Sequence, residues 1–305
     1  MILMDIARFV ERRKSLHISQ VRMCEGICTQ STLSKFESGG HVPSLKILSK
    51  LCARIGLSID DLNESNKISA NQLKTNLDSL ERDLVMENYQ CVLKGLSKID
   101  EQQLDSILLK MQFYYLRGLM GALINQPPEE VLYDFSQILN DLDETHETIF
   151  TQLVYVGSGV MYNRLKQTDR ANFYFKKVHA FIRNVLKDEK LYFNRVGDNY
   201  LRLLTMIFFT ASYYNSVGQL TASEKLVAQG VNMCSQHHVT YFLPRLKFLA
   251  AKNAIEQKQD KAVIERLINE VFAFARINEN QVIEVKAAAL NTRYEKGESL
   301  VDLTP

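Results

Sequence analysis

The stretch SQVRMCEGICTQSTLSKFESGGHVPSLKILSKLCARIGLSIDDL, Ser19 to Leu62, decides how the N-terminal part of this chain folds. Ser19 stands at an N-cap position, where a hydroxyl oxygen accepts from the free amides of a first helical turn, and Val21, Cys24 and Ile27 then share one face. Thr29 repeats the cap. After it, Leu33 and Phe36 lie three apart and point inward, which leaves Gln30, Ser31, Thr32 and Lys35 outward. Ser38-Gly39-Gly40 ends this helix, since glycine adopts the left-handed cap without strain. Pro43 precedes a further helix with Leu45, Leu48, Leu51 and Ile55 at helical spacing; Gly56 stops it, and Ile59 and Leu62 begin a short closing segment. Upstream, Met4 to Lys14 reads as a helix whose apolar stripe (Ile6, Phe9, Val10) is edged by Arg8, Arg12, Arg13 and Lys14. Five short helices are expected here.

Two short helices around a tight turn, the second with a polar outer face, are the layout of a helix-turn-helix. A helix fits the major groove of B-DNA, and residues at the start of the second helix of such a motif meet base edges. Gln30 is the leading base reader, because its amide can pair with adenine through both oxygen and nitrogen, a contact of about 1–3 kcal/mol in discrimination. Thr29, Ser31, Thr32 and Lys35 are placed to reach bases or flanking phosphates. Gln20, Lys35 and the polar turn around Ser38 and His41 are expected at phosphates. Glu37 is read as structural, since DNA repels a carboxylate, with a basic residue of the first helix as its partner. The competing reading is a packing module without DNA. The pattern Gln20, Ser31, Leu33, Ser34, Glu37, Gly39, Pro43-Ser44-Leu45, Leu48, Gly56, Leu57 and Asp61-Leu62 resembles the phage-repressor, or Xre-type, helix-turn-helix. Cys28 departs from it, where relatives often have a small residue entering the turn.

The 305 residues, 46% hydrophobic and 24% charged, suit two soluble globular domains. A formal charge of +2 is too mild to argue for nucleic acid by itself. Five scattered cysteines and a first segment without an apolar signal stretch point to a reducing cytoplasm. No apolar run reaches the ~18–20 residues that span a bilayer; LRLLTMIFFTASYY is broken by Arg202 and reads as a buried helix. Phosphate-loop, dinucleotide-turn, zinc-helix and nucleophile-elbow motifs are all missing, so an enzyme is not expected, nor a cofactor. Cys24 and Cys28, with His41, lack the four matched ligands of a zinc site, so no metal is expected.

The polar segment Asn63 to Asn71 reads as a linker, giving domains over 1–65 and 72–305. Beyond it the chain is expected to be all-α, an α-solenoid of about five helix pairs. The pairs are Leu73 to Val85 with Tyr89 to Ser97, Leu104 to Ile124 with Glu129 to Leu142, Phe150 to Leu165 with Ala171 to Leu186, Gly197 to Val217 with Ala222 to Cys234, and Phe242 to Gln257 with Ala262 to Ala275. Val282 to Tyr294 closes the array. Successive pairs repeat at about 40 residues, within the range of helical repeats. The junctions Tyr162 to Ala171 and Tyr213 to Ala222 look like tetratricopeptide turns, with an aromatic closing one helix and an alanine opening the next. Stacked pairs create a continuous core and a concave groove.

Polar residues at helical spacing on first helices are the groove candidates. Arg195, Asn199 and Arg202 form one stripe, Tyr241, Arg245, Phe248 and Lys252 a second, and Gln152, Tyr155, Tyr162 and Asn163 a third. Asn163 and Asn199 could pair the backbone of an extended peptide, and the arginines its carboxylates. Against this, Arg or Asn on a helix is commonly a solvated face, and Tyr or Phe is commonly core. An Xre-type reader followed by such repeats resembles the Rgg and PlcR group of peptide-pheromone regulators of Gram-positive bacteria. The resemblance implies a homodimeric transcription factor that binds double-stranded DNA at a near-palindromic site and is controlled by a short signalling peptide in the groove, without contact to a membrane. The alternative is a DNA-binding regulator whose repeats serve only dimerisation or protein contact.

Overall fold

In a computed structural model, residues 6–57, 59, 62, 64–187 and 200–300 are described, and they form helices joined by turns, with no strand among them. The chain divides into two compact units, Met1–Thr75 and Asn76–Pro305.

The first unit holds α1 (Ile6–Ser15), α2 (Gln20–Cys24), α3 (Gln30–Glu37) and α4 (Leu45–Arg54). Its core is Phe9, Met23, Leu33, Phe36, Leu48, Leu51 and their neighbours. Both expected caps form: the Ser19 hydroxyl accepts from the Arg22 amide and that of Thr29 from the Thr32 amide, each at 3.3 Å. Two expected core positions do not hold. Val21 is 64% exposed and Leu45 70% exposed, because each opens its short helix before the apolar stripe reaches the core. Of the closing segment only Ile59 and Leu62 are described; Leu62 is buried and its amide donates to the Ile59 carbonyl.

The segment expected to be a linker is instead helical from Glu64 onward, within α5 (Glu64–Val85). A polar stretch without apolar period need not break a helix when it lacks Gly and Pro and runs directly into one. Then follow α6 (Tyr89–Leu96), α7 (Ile107–Leu123), α8 (Pro128–Ser136), α9 (Ile149–Arg164), α10 (Thr168–Lys187), α11 (Tyr200–Ser216), α12 (Leu220–Gln236), α13 (Leu243–Glu256), α14 (Lys261–Ile277) and α15 (Gln281–Lys296). These are the expected pairs with their closing helix, and the tetratricopeptide-like solenoid is observed. Pro128 opens α8, whose last turn continues as a wider coil over Gln137–Leu142. Phe135 of α8 packs against Gly118 of α7 and Gly157 of α9, where a β-carbon would collide with its ring. Those glycines let three helices approach one aromatic side chain.

One turn design recurs. At Glu87, Asn125, Lys166, Gly218, His238, Lys258 and Glu279 the backbone is left-handed, and the following amide donates to a carbonyl five residues back. Only one of these seven is glycine.

The array also closes on itself through charge. Glu81 of α5 binds Arg202 of α11, and Glu87 of the α5–α6 turn meets both Arg245 of α13 and Lys286 of α15. The first pair of the solenoid therefore packs against its last ones.

Candidate DNA-reading surface and ligand face

Helix α3 rests on a polar clamp drawn from three helices. Glu37, its last residue, accepts from Arg13 of α1 through Nε at 2.6 Å and Nη2 at 2.9 Å, and from Gln20 Nε2 of α2 at 2.8 Å. Arg13 Nη1 donates to the Ile18 carbonyl at 2.7 Å. The Arg13 and Glu37 side chains are only 10% and 8% exposed, so each charge depends on the other for its solvation. The Phe9 and Phe36 rings meet edge to face at 5.2 Å between centroids. Glu37 thus has the structural partner in the first helix that its charge demands. Gln20, expected at a phosphate, is half-buried and gives one of its two amide hydrogens to Glu37, which helps to position α3.

The turn between α2 and α3 is held from outside. Arg54 Nη1 of α4 reaches the carbonyls of Arg22, Met23 and Glu25, the last at 2.7 Å, and so caps the end of α2. The left-handed residue of the turn is Gly26, with φ +68°. Cys28 comes two residues later, half-buried against the core, and needs no small side chain there.

Thr29, Gln30, Ser31, Lys35, Ser38 and His41 are exposed, and Thr32 is half-buried. The Thr29 and Thr32 hydroxyls bond to each other at 2.8 Å, which turns both toward capping. Ser38 donates to the Lys35 carbonyl at 3.1 Å, and the His41 amide reaches the same carbonyl. Gln30, Ser31, Ser34 and Lys35 are left as the outward side chains of α3. Residues 1–75 carry 11 Lys and Arg against 7 Asp and Glu, so the small positive balance of the chain is concentrated in this unit.

The second unit treats the groove candidates differently. Arg195 and Asn199 lie outside the described residues. Arg202 is bound to Glu81 through Nε at 2.9 Å and Nη2 at 3.0 Å, with its guanidinium 4.5 Å from the centre of the Phe150 ring. Gln112 Nε2 adds a bond to Glu81 at 2.9 Å and one to Asp78. Arg245 is 2% exposed: Nε lies 3.2 Å from Glu87, Nη1 donates to the Val85 carbonyl, and the guanidinium stands 3.9 Å over Phe208. Phe248 is fully buried, and Lys252 is 5% exposed with Nζ 3.9 Å from Glu256. Burial pulls the Lys252 pKa down despite the opposing pull of Glu256. Tyr241 is half-buried, its phenol pushed up by burial and by a hydrogen bond with Tyr200. The expectation that Arg245, Phe248 and Lys252 line an open groove is corrected: α13 is covered by α11, α12, α14 and α15, and its polar stripe is interior.

The third stripe stays open. Gln152, Tyr155, Tyr162 and Asn163 are half-buried on α9. Tyr162 stacks on Tyr174 of α10 at 5.8 Å and 5° between planes, and Tyr155 lies 5.8 Å from the same ring. Arg170 sits 5.3 Å over Tyr162, while Lys177 Nζ is 5.0 Å from Tyr155 and 4.7 Å from Phe173, itself 53% exposed. Tyr162, Asp169, Arg170, Phe173 and Tyr174 line a concavity of about 310 Å³. The α10 partners Arg170, Phe173, Tyr174 and Lys177 recur at i, i+3, i+4 and i+7 on a second helix, whereas the sequence expectation places the groove on first helices. A larger cleft of about 540 Å³ has Val227, Val231, Ala250 and Leu267 in its walls, with Asn253 and Arg266 among its polar residues. It lies among α12, α13 and α14, and its lining residues carry no polar periodicity that would single them out.

Residues 10–62 match the family described as Helix-turn-helix. This segment is a helix-turn-helix domain. Its buried Glu37 clamp and exposed Gln30 face are the local form that the domain takes here. Over most of its length the chain also shares the fold of two solved regulators. A crystal structure of PlcR from Bacillus thuringiensis in complex with the peptide PapR7 and DNA is 18% identical, with 93% of this chain and 99% of that one covered and a TM-score of 0.51. ComR from S. thermophilus in complex with DNA and its signalling peptide ComS is 17% identical, with 94% and 98% covered and a TM-score of 0.50. No curated protein matches the chain in sequence. Among the described residues no helix is long and apolar enough to cross a membrane.

Proposed function

We propose that this chain is a sequence-specific DNA-binding transcription regulator of the cytoplasm, acting as a homodimer under the control of a short signalling peptide. The observation that carries the DNA part is the outward face of α3: Gln30, Ser31 and Lys35 stand exposed on a helix whose far end is fixed by the buried Arg13–Glu37–Gln20 clamp. Such fixation matters because base readout needs the side chain held to hydrogen-bond precision. Gln30 reads a base edge, and Lys35, Ser38 and His41 meet phosphate.

For the dimer, α15 supports the reading with Val285 71% exposed and Val282 38% exposed, next to Ile277 at 68%. Two copies joined there present two α3 helices to half-sites about 34 Å apart on a near-palindromic site. The peptide part rests on the fold shared with PlcR and ComR, both solved with DNA and a peptide. Gln152, Tyr155, Tyr162 and Asn163, with Arg170 and Lys177 beside them, are the described residues we assign to an aromatic, anionic peptide. A specific observation favours the second reading, in which the repeats serve dimerisation or protein contact only: Arg245, Phe248 and Lys252 are enclosed.

The two readings separate in a binding experiment on the purified chain. A pool of short synthetic peptides with free C-termini is equilibrated with it and the retained peptides are identified by mass. Retention that falls on Tyr162→Ala supports the peptide reading. No retained peptide, with DNA binding intact, leaves the repeats as a dimerisation scaffold.

A further inference from the structure

Two thiols flank the turn between α2 and α3. Cys24, the last residue of α2, is 3% exposed, while Cys28 is half-buried and more open to solvent. Cys24 Sγ donates to the Gln20 carbonyl at 2.7 Å, and the Cys28 amide donates to the Cys24 carbonyl at 3.0 Å, which brings the two residues together across the turn. Both cysteines are free. Gly26 lies between them at φ +68°, in open space, and Thr29, the cap of α3, follows Cys28 directly.

We propose that Cys24 and Cys28 form a redox-sensitive pair: a low-molecular-weight disulfide oxidises them to an intra-turn disulfide, and the oxidised reader loses its DNA. A disulfide holds its two β-carbons at about 3.5–4.5 Å with a Cβ–S–S–Cβ dihedral of about 85–100°, whereas two free thiols are under no such constraint. Closing the bond therefore imposes a fixed geometry on the turn. The end of α2 is held by Arg54, so the adjustment falls on Cys28 and on the Thr29 cap beside it. A displaced cap tilts or frays the first turn of α3, which carries Gln30 and Ser31.

The chemistry is ordinary thiol–disulfide exchange. The Cys28 thiolate attacks one sulfur of the small disulfide, whose S–S bond breaks and releases one small thiol. Cys24 then gives its proton to solvent and attacks the Cys28 sulfur, expelling the second small thiol and closing the Cys24–Cys28 bond. Two electrons pass from the protein pair to the oxidant, and a small reducing thiol reverses both steps. Burial, and next the proximity of Cys28, raise the Cys24 thiol pKa, which leaves the more open Cys28 as the thiol that meets the oxidant first.

The proposal rests on α3 reading DNA, and its test keeps the two apart. Full-length chain carrying Cys91→Ser, to remove the exposed thiol, is used to select binding sequences from random duplex DNA under reducing conditions, and is then treated with oxidised glutathione. The peptide holding Cys24 and Cys28 is expected to lose about 2 Da, reversibly with dithiothreitol. Affinity for the selected DNA is expected to fall about tenfold or more, the scale of one lost bidentate base contact. Cys28→Ser is expected to bind as well as the reduced parent and to ignore the oxidant. Should that variant lose its helical circular dichroism, Cys24→Ala takes its place with the same expectation. A stable glutathione adduct without ring closure overturns the proposal, as does a disulfide that leaves affinity unchanged. A reduced chain that selects no DNA refutes the reader itself, whatever the thiols do.

Discussion

Helices α3 and α13 present the same kind of sequence signal and meet opposite fates. Each carries polar residues at helical spacing beside an apolar stripe. In α3 the outward set Gln30, Ser31 and Lys35 is exposed, whereas in α13 Arg245 and Lys252 are buried along with Phe248. The cause is architectural. A four-helix reader is too small to cover both sides of a helix, so a polar face on α3 has nowhere to go but solvent. A closed solenoid covers α13 from several directions, including a carboxylate, Glu87, far away in the chain. Polar periodicity therefore marks a surface on α3 and a buried ion-pair network on α13.

The largest effect should come from breaking that network. Arg245→Ala leaves Glu87 buried with one partner fewer and is expected to lower the stability of the repeat unit by about 3–5 kcal/mol in urea unfolding. The double change Arg245→Met with Glu87→Gln should recover most of the loss. A small effect of Arg245→Ala would place that residue at a surface and restore it to a groove. In the reader, Glu37→Ala removes the acceptor of both Arg13 and Gln20, and the expected cost is about 2–3 kcal/mol in that unit alone. If both units lose stability together, the contrast between them fails.

Much of this contrast could be read in advance, and the part that could not has a physical reason. The pairs, both N-caps and the Glu37 partnership followed from local patterns: Ser19 and Thr29 cap because a hydroxyl precedes an apolar period, and a carboxylate in a DNA-facing helix needs a cation nearby. The fate of Arg202 and Arg245 did not follow, since their partners Glu81 and Glu87 lie 121 and 158 residues away, and pairing over such distances leaves no periodic trace. The repeat turns were hidden for another reason. Six of the seven use Glu87, Asn125, Lys166, His238, Lys258 or Glu279 in the left-handed position where glycine would have announced a helix end. Val21 and Leu45 show the same limit at short range: spacing places a residue on a face but does not say what neighbouring helix meets it.

Smaller effects sharpen the comparison. Thr29→Ala should destabilise the reader by about 1 kcal/mol through loss of the cap, and Ser19→Ala by a similar amount. Lys35→Ala should weaken binding to all DNA sequences alike and reduce the salt dependence of affinity by about one unit of slope. A loss confined to one sequence would move Lys35 from phosphate to a base. The least effect concerns His179 of α10, whose ring Nδ1 lies 2.8 Å from the Tyr214 hydroxyl. Burial, reinforced by Arg183, lowers its pKa. The unfolded chain then binds a proton that the folded one resists, so this contribution is complete above the ordinary histidine pKa of about 6.5 and is lost as pH falls below it. His179→Phe should flatten that slope in the repeat unit.

The central claim is that the exposed face of α3 reads DNA bases through Gln30. Its most direct measurement is selection of binding sequences from random duplex DNA by the full-length chain and by Gln30→Ala, followed by footprinting of the enriched sites. The account predicts two half-sites about 34 Å apart for the parent, with one adenine position relaxed in each half-site for the variant and the remaining positions kept. Identical base preferences for parent and variant would contradict it.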